Sequence, residues 1–257
     1  MINNILPVKA VGTLLYSQIP GISVIILLPH SPRSLEVTAE HSQRRYIMEA
    51  LKALNERRSI NFFDPEKTIT EEQFNELIAT SSLAPSSLNL QPWEVIIVND
   101  PGKKEILKKC AFGQPKVTES SATLIIIANP NAVEENIDRV LGSWVELGYI
   151  ESNSVKTMRE MPFRNYGDKE SLSRKLFAVK NTAFFAMSIM IAAKDMGLET
   201  HPMDGFSEEK VKANFNIPED RIIPLLITVG YPKPGLKLLP RAWRRDLKEY
   251  VKYNIFN

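Results

Sequence analysis

A single cysteine, Cys110, is all the thiol chemistry the sequence offers. One thiol builds neither an internal disulfide framework nor a thiolate zinc cluster, and a reducing cytoplasm is the simplest compartment for such a chain. Cys110 follows "ILKK" with no histidine nearby in sequence, so it reads as a partly buried small hydrophobe rather than a reactive thiol. Histidine is scarce too. His30, His41 and His201 stand far apart and offer no zinc pair, and no G-x-S-x-G elbow marks a serine hydrolase. None of the eleven glycines forms G-x-G, and no G-x-x-x-x-G-K-[ST] loop occurs. Dinucleotide fingerprints, glycine-rich kinase loops and Walker-type phosphate loops are thereby excluded. Nor is there an excess of one charge. Against 32 Lys and Arg stand 30 Asp and Glu, a net charge of +2, which gives no global field toward nucleic acid or acidic membranes. The apolar run "GISVIILLP" near the N-terminus falls short of the ~20 residues that span a bilayer. It also lacks the small-residue cleavage site of a signal peptide. If the protein is an enzyme, its chemistry belongs to a bound cofactor rather than to side chains.

What is present is ordinary globular material, 44% apolar and 24% charged over 257 residues. Residues 1–45 read as an extension, with "HSPRSLEVTAEHSQRR" as an exposed linker and Met48 as an alternative start. The rival reading is a strand or arm that packs on a partner subunit. From Tyr46 onward the pattern is regular and describes one domain, 46–257. Ile47, Leu51 and Leu54 have helical spacing. "ITEEQFNELIATSSLA" predicts a helix with Thr70 as N-cap, Gln73 closing a capping box, and Phe74, Leu77 and Ile78 as its buried stripe. "WEVIIVND", "ATLIIIAN" and "RIIPLLITVGY" predict buried strands. Lys103–Cys110, "NIDRVLGSWVELGYI" and "SEEKVKANFNI" predict helices, whereas "SVKTMREMPFRNYGDKES" reads as polar and irregular. Ala178–Glu199 is apolar on nearly all sides and predicts a core helix stopped by Gly197. Helices alternating with short buried strands imply an α+β layer structure.

Three polar clusters interrupt this framework. In "ERRSINFF", Arg57, Arg58 and Ser59 either balance a helix dipole or clamp a phosphate. "LAPSSLNLQPWEVIIVND" places two serines and an asparagine between prolines, either as a plain turn or as a polar rim around a ligand. In "THPMDGF", Gly205 either makes a turn or lets backbone amides approach a flat ring.

In order and spacing these clusters resemble the nitroreductase family of flavin enzymes, which bind FMN at a homodimer interface. The landmarks are "RRSINFF", "APSSLNLQPWEVIIV", "MGLETHPMDGF", and "ITVGYP" followed by basic residues; residues 1–45 have no counterpart. The resemblance implies a mixed, mostly antiparallel sheet flanked by helices and a homodimer with shared active sites. It also implies roles for particular residues. Arg57, Arg58 and Ser59 would hold the FMN phosphate and pyrimidine side. Pro85, Ser86, Ser87 and Asn89 would reach the flavin bound mainly by the other subunit, with Trp93 in the core. Pro202, Met203, Asp204 and Gly205 would lie against the isoalloxazine, and Gln114 would meet its polar edge. From the C-terminal segment Arg244 is the first candidate for the phosphate and Arg241 the second. Asn61 departs from the lysine or arginine that many members carry near the flavin N1–C2 edge. A neutral amide stabilises the reduced ring less than a cation, which implies a lower reduction potential than in lysine-bearing relatives.

The function so implied is hydride transfer from NADH or NADPH through flavin N5 to a small aromatic, quinone or nitro acceptor in a ping-pong cycle. Trp144, Tyr149, Phe163, Arg164 and Tyr166 either line the acceptor pocket or simply pack a mobile cover. Other chemistry on the same fold, such as reductive dehalogenation or dehydrogenation of small molecules, and a non-catalytic FMN carrier or sensor are the alternatives. A partner nucleic acid or membrane is not expected.

Overall fold

The computed structural model describes residues 50–256, together with the backbone of two strands nearer the N-terminus. Those strands, β1 (Leu14–Ile19) and β2 (Ile22–Leu27), pair antiparallel with Leu14 opposite Leu27 and Ile19 opposite Ile22. The linker expected after them, and Ile47 and Met48, lie outside the described residues. The chain divides into two compact units, 1–55 and 56–257.

The larger unit is built on a four-stranded sheet of β3 (Trp93–Val98), β4 (Ala122–Ala128), β5 (Glu199–Met203) and β6 (Ile222–Gly230). Its order is β3-β4-β6-β5, and every neighbouring pair is antiparallel. The expected mixed character reduces to one parallel bridge outside the named strands, Ser59 beside Thr200, with the Ile60 amide donating to the Thr200 carbonyl at 3.2 Å. All seven residues of β4 are buried, as the unbroken run "ATLIIIA" requires of a strand covered on both faces.

Alternation along β4 sorts the core. Leu124 and Ile126 point to a cluster with Phe74 and Leu77 of α2 (Glu71–Ser81) and Phe185 and Ile189 of α7 (Leu172–Asp195). Ile125 and Ile127 point the other way, to Leu107 and Cys110 of α3 (Pro101–Cys110) and Val211 of α8 (Glu208–Phe215). The capping box at α2 forms as expected: Thr70 Oγ1 accepts from the Gln73 amide, and Gln73 Oε1 accepts from the Thr70 amide. Ile78 is only half-buried, packed against the cluster rim. Cys110 is buried, and that burial pushes its thiol pKa up.

α7 has the length and composition of a membrane span, yet ten of its residues are buried within this domain, so it packs as a core helix. It begins earlier than its apolar stretch, because the Ser171 side chain accepts from the Arg174 amide and caps a polar first turn. Gly197, at φ 76°, ends it.

Two expectations change. The stretch read as irregular contains a helix, α6 (Val155–Tyr166), despite Pro162 inside it. Val155, Met158, Phe163 and Tyr166 pack on a third cluster, where Tyr166 stacks on Phe177 at 4.4 Å between ring centroids; this packing outweighs the hydrogen bond that the proline forfeits. Glu199, read as the end of the long helix, instead opens a strand with the polar cluster's Thr200–Met203, because the edge of β6 offers a ladder, and as the outer strand it tolerates Pro202. The helical spacing of Leu51 and Leu54 is met by α1 (50–56), where they are 56% and 46% exposed while Ala53 is buried. Helical spacing places two leucines on one face without requiring the same chain to cover it.

Candidate functional site

The segment 57–61 lies against β5, so the first and third polar clusters of the sequence meet at one edge of the sheet. His201, on β5, spans the join. Its Nδ1 lies 3.0 Å from the Ile60 carbonyl oxygen, and its Nε2 lies 3.2 Å from Lys116 Nζ. A carbonyl only accepts, so Nδ1 carries the proton, and Nε2 of the neutral ring accepts from the ammonium. Lys116 also donates to Asn61 Oδ1 at 2.9 Å. Burial, then the Lys116 charge, lower the His201 pKa from its ordinary value, against the Ile60 hydrogen bond that raises it. Burial also lowers that of Lys116.

β5 ends at Met203, whose side chain is buried in the core, so only its backbone faces outward chemistry. Asp204 and Gly205 then emerge to the surface. Gln114 holds this turn, with Nε2 donating to the Gly205 carbonyl at 2.8 Å. A Cβ at residue 205 would stand 3.0 Å from that same Nε2. Glycine therefore leaves the room in which the amide of Gln114 closes on the turn.

The C-terminal segment returns to the double arginine. Arg58 Nη2 donates to the Leu239 carbonyl at 3.1 Å, and both terminal nitrogens of Arg241 reach the Arg57 carbonyl at 3.5 Å. The terminal segment at Leu239 and Arg241 thus lies along Arg57 and Arg58, next in chain to Ser59. Arg244, the first candidate from sequence, turns back on its own chain instead, donating to the carbonyls of Ala242 and Trp243 at 3.3 and 2.9 Å.

The second polar cluster is built with unusual backbone. Leu88, Asn89 and Gln91 have φ of 53°, 52° and 46°, a left-handed region that costs a non-glycine residue on the order of 1 kcal/mol each. Specific bonds hold it there. Ser86 Oγ accepts from the Gln91 amide at 2.9 Å, Asn181 Oδ1 accepts from the Ser87 amide at 3.0 Å, and Ser87 Oγ shares a short hydrogen bond with the Tyr166 hydroxyl. Leu90 anchors the end of the loop, fully buried. Pro85 and Asn89 are exposed, and Asn89 rims an open cavity of about 410 Å³ with Gln91, Trp93, Asn136, Arg139 and Ser143. Trp93 stacks on Phe185 at 5.1 Å, the core role expected of it.

Within one chain this loop and the 57–61/200–205 edge do not meet. His201 aligns through Thr228 and Thr123 with Val98, three strands across, and Trp93 lies five residues farther along β3. Strand spacing and rise put the two regions on the order of 20 Å apart.

The residues weighed as acceptor contacts divide. Trp144, Phe163 and Tyr166 pack against the third core cluster, whereas Tyr149 and Arg164 are exposed. Sequence reasoning missed Lys116 and set His201 aside as isolated. The available signal was that Lys116 follows Gln114 by two residues, within a stretch already singled out.

Comparison with known proteins identifies the family. Residues 54–231 match the model of the nitroreductase family. A Bacillus subtilis (strain 168) protein provisionally named NAD(P)H nitroreductase MhqN is 34% identical over 200 residues, covering 78% of this chain and 96% of its own. Among solved structures, one provisionally described as the nitroreductase ydfN of Bacillus subtilis superposes with a TM-score of 0.75 at 32% identity, covering 80% of this chain and 99% of its own. Another, provisionally described as an NAD(P)H:FMN oxidoreductase of Staphylococcus epidermidis, gives 0.71 at 25% identity, covering 79% and 95%.

Proposed function

This chain belongs to the nitroreductase family, and we propose that it is an FMN-dependent oxidoreductase that draws hydride from NADH or NADPH for a small aromatic, quinone or nitro acceptor. The name of the Staphylococcus epidermidis relative supports FMN and a nicotinamide donor. The observation that carries the reading is the return of the C-terminal segment to the double arginine, with Arg241 on the Arg57 carbonyl and Arg58 on the Leu239 carbonyl, while the next residue, Ser59, pairs with the β5 edge that leads to Gly205.

The donor set fits the cofactor. A phosphate monoester is the natural partner of Arg57, Arg58 and Arg241 with the Ser59 hydroxyl, since guanidinium forks match phosphate oxygens. Of the two C-terminal candidates Arg241 is favoured by its place at Arg57. A flat ring suits Pro202, Met203, Asp204 and Gly205, where backbone rather than side chain is presented. Gln114 and Asn61 supply polar groups for its edge. FMN held by these residues would supply the hydride-transfer chemistry at N5 of a ping-pong cycle, so no side chain need act as nucleophile. The chain contributes binding, orientation and exclusion of water.

The separation of the "PSSLN" loop from this edge supports a homodimer. A second copy would bring Pro85, Ser86, Ser87 and Asn89 to the cofactor held by the first. The strained, firmly bonded loop suits that role, because a rigid rim loses little freedom on binding.

The test is the visible spectrum of the purified full chain after soaking in FMN, before and after adding NADPH or NADH without oxygen. Retained flavin bands that bleach support the reading. Failure to retain FMN overturns it. Retained flavin that neither donor bleaches would favour a carrier without turnover.

A further inference from the structure

Between the "PSSLN" loop and α5 (Ala132–Glu146) lies the open cavity of about 410 Å³ that the residues of the sheet edge do not reach. Asn89 and Gln91 line it from the loop, and Asn136, Arg139 and Ser143 line it from the helix. We propose that this cavity is a binding site of its own, for a small organic anion. The Arg139 guanidinium takes a carboxylate or phosphate-ester head group, and Trp93 and Val140 form the apolar wall against the body of the molecule. The proposal does not depend on the FMN reading, because every residue it names comes from one chain and none belongs to the 57–61/200–205 edge.

Charge carries it first. Among the described residues no carboxylate lines the cavity, and Arg139 makes no ion pair or hydrogen bond. Lys116, at the start of α4 (Lys116–Glu119), is the contrast, since Asn61 and His201 already hold it. The acidic residues nearest Arg139 in sequence are engaged elsewhere. Asp138 gives both oxygens to Arg159, at 2.6 and 3.1 Å, and Glu135 accepts from Asn129 and Arg221 at 2.7 and 3.3 Å. A guanidinium fork left open beside a cavity matches the oxygens of a carboxylate or phosphate.

The other lining groups are set before any ligand arrives. Asn136 Nδ2 donates to the Leu90 carbonyl at 2.9 Å, and Gln91 Nε2 donates to Asn89 Oδ1 at 3.2 Å. With that oxygen occupied, Asn89 turns its amide nitrogen to other use as a donor, and the Ser143 hydroxyl has no bond among the described residues. The wall is rigid, because Trp93 is stacked on Phe185 and Val140 is buried. Volume argues for an organic molecule over a bare inorganic ion, since small-molecule sites run from roughly 300 to 1,000 Å³.

The experiment is a ligand-observed NMR titration of the full-length, FMN-soaked protein with benzoate, phenyl phosphate and benzyl alcohol at one low ionic strength. The better of the two anions should bind about tenfold more tightly than benzyl alcohol, and which one it is identifies the head group. Arg139→Gln should remove that advantage and leave the urea midpoint unmoved, because Arg139 is exposed and unpaired. Ser143→Trp keeps the guanidinium but fills the cavity, and should weaken the anion about tenfold as well. Anion binding that Arg139→Gln abolishes and Ser143→Trp leaves unchanged would mean an adventitious ion on a surface arginine, and overturns the proposal. Anions that bind wild type no better than benzyl alcohol also overturn it. If Ser143→Trp does not fold, Ser143→Leu makes the same comparison. Flavin retention is read from the visible spectrum of the same samples, so this inference and the FMN reading fail independently.

Discussion

Gln114 and Gly205, far apart in sequence, are joined by a 2.8 Å hydrogen bond from the amide nitrogen to the carbonyl, and the hydrogen on the Gly205 Cα is what leaves room for it. Gly205→Ala would bring a Cβ to 3.0 Å from Gln114 Nε2, so the side chain or the turn must give way. FMN affinity should fall roughly tenfold, equivalent to the loss of about 1.4 kcal/mol. Because Gly205 is exposed, the unfolding midpoint of the flavin-free protein should hardly move. Fluorescence titration with FMN and a urea melt separate the two.

The two C-terminal arginines should behave differently. Arg241→Ala should weaken FMN binding about tenfold or more, the scale of one charge-assisted hydrogen bond, while Arg244→Ala should leave it nearly unchanged. Riboflavin, which lacks the phosphate, is the control: its affinity should be insensitive to either substitution. Equal losses for FMN in both variants would count against the preference for Arg241, which rests on its contact with the Arg57 carbonyl.

Acid should reveal His201. Its folded-state pKa lies below the ordinary 6.5, so the unfolded chain binds the proton more readily. Stability then rises with pH where the unfolded state holds more protons, and declines as pH drops below about 6.5 toward the lowered folded value. Histidine elsewhere contributes to the raw curve, so the measured quantity is wild type minus His201→Gln. That difference should shrink as pH falls from neutrality, read from urea midpoints at a series of pH values.

Thr70→Ala should cost about 1 kcal/mol, since it removes the acceptor for the Gln73 amide and opens the capping box of α2. Leu124→Ala should cost about 2–5 kcal/mol, because the side chain is fully buried between sheet and helices. Chemical denaturation of both variants checks the order. A cap loss larger than the core loss would contradict the assignment of α2 as a helix held chiefly by its apolar face.

How far could all this be read from residues alone? Apolar patterning placed α2, β4, β6 and the body of α7: α2 by the spacing of its stripe, the two strands and α7 by apolar runs of strand and helix length. Elements that owe their form to a neighbour were harder. β5 contains a proline, and its first residue was read into the preceding helix because the ladder is set by the edge of β6, while α6 carries Pro162 and a polar face that conceal its packing on Phe177. The same distinction runs through the site. Arg57, Ser59, Gln114 and Gly205 could be named because they stand in recognisable local motifs. Lys116 and His201 acquire meaning only when 57–61 is laid beside β5, a contact across more than a hundred residues that no local pattern records. The preference for Arg241 over Arg244 is likewise decided by how the terminal segment folds back.

The distance between the "PSSLN" loop and the guanidinium edge has a genetic corollary. On the shared-site reading, a chain crippled in its loop and a chain crippled in its arginines are each inactive as pure populations. Mixed and allowed to exchange partners, they should complement: one of the two sites in a mixed pair takes its loop from one chain and its arginines from the other, and is whole. The companion site collects both lesions. Regained turnover would then plateau at half that of a wild-type pair for every mixed pair formed, and no such rescue is open to a protein whose site lies within one chain.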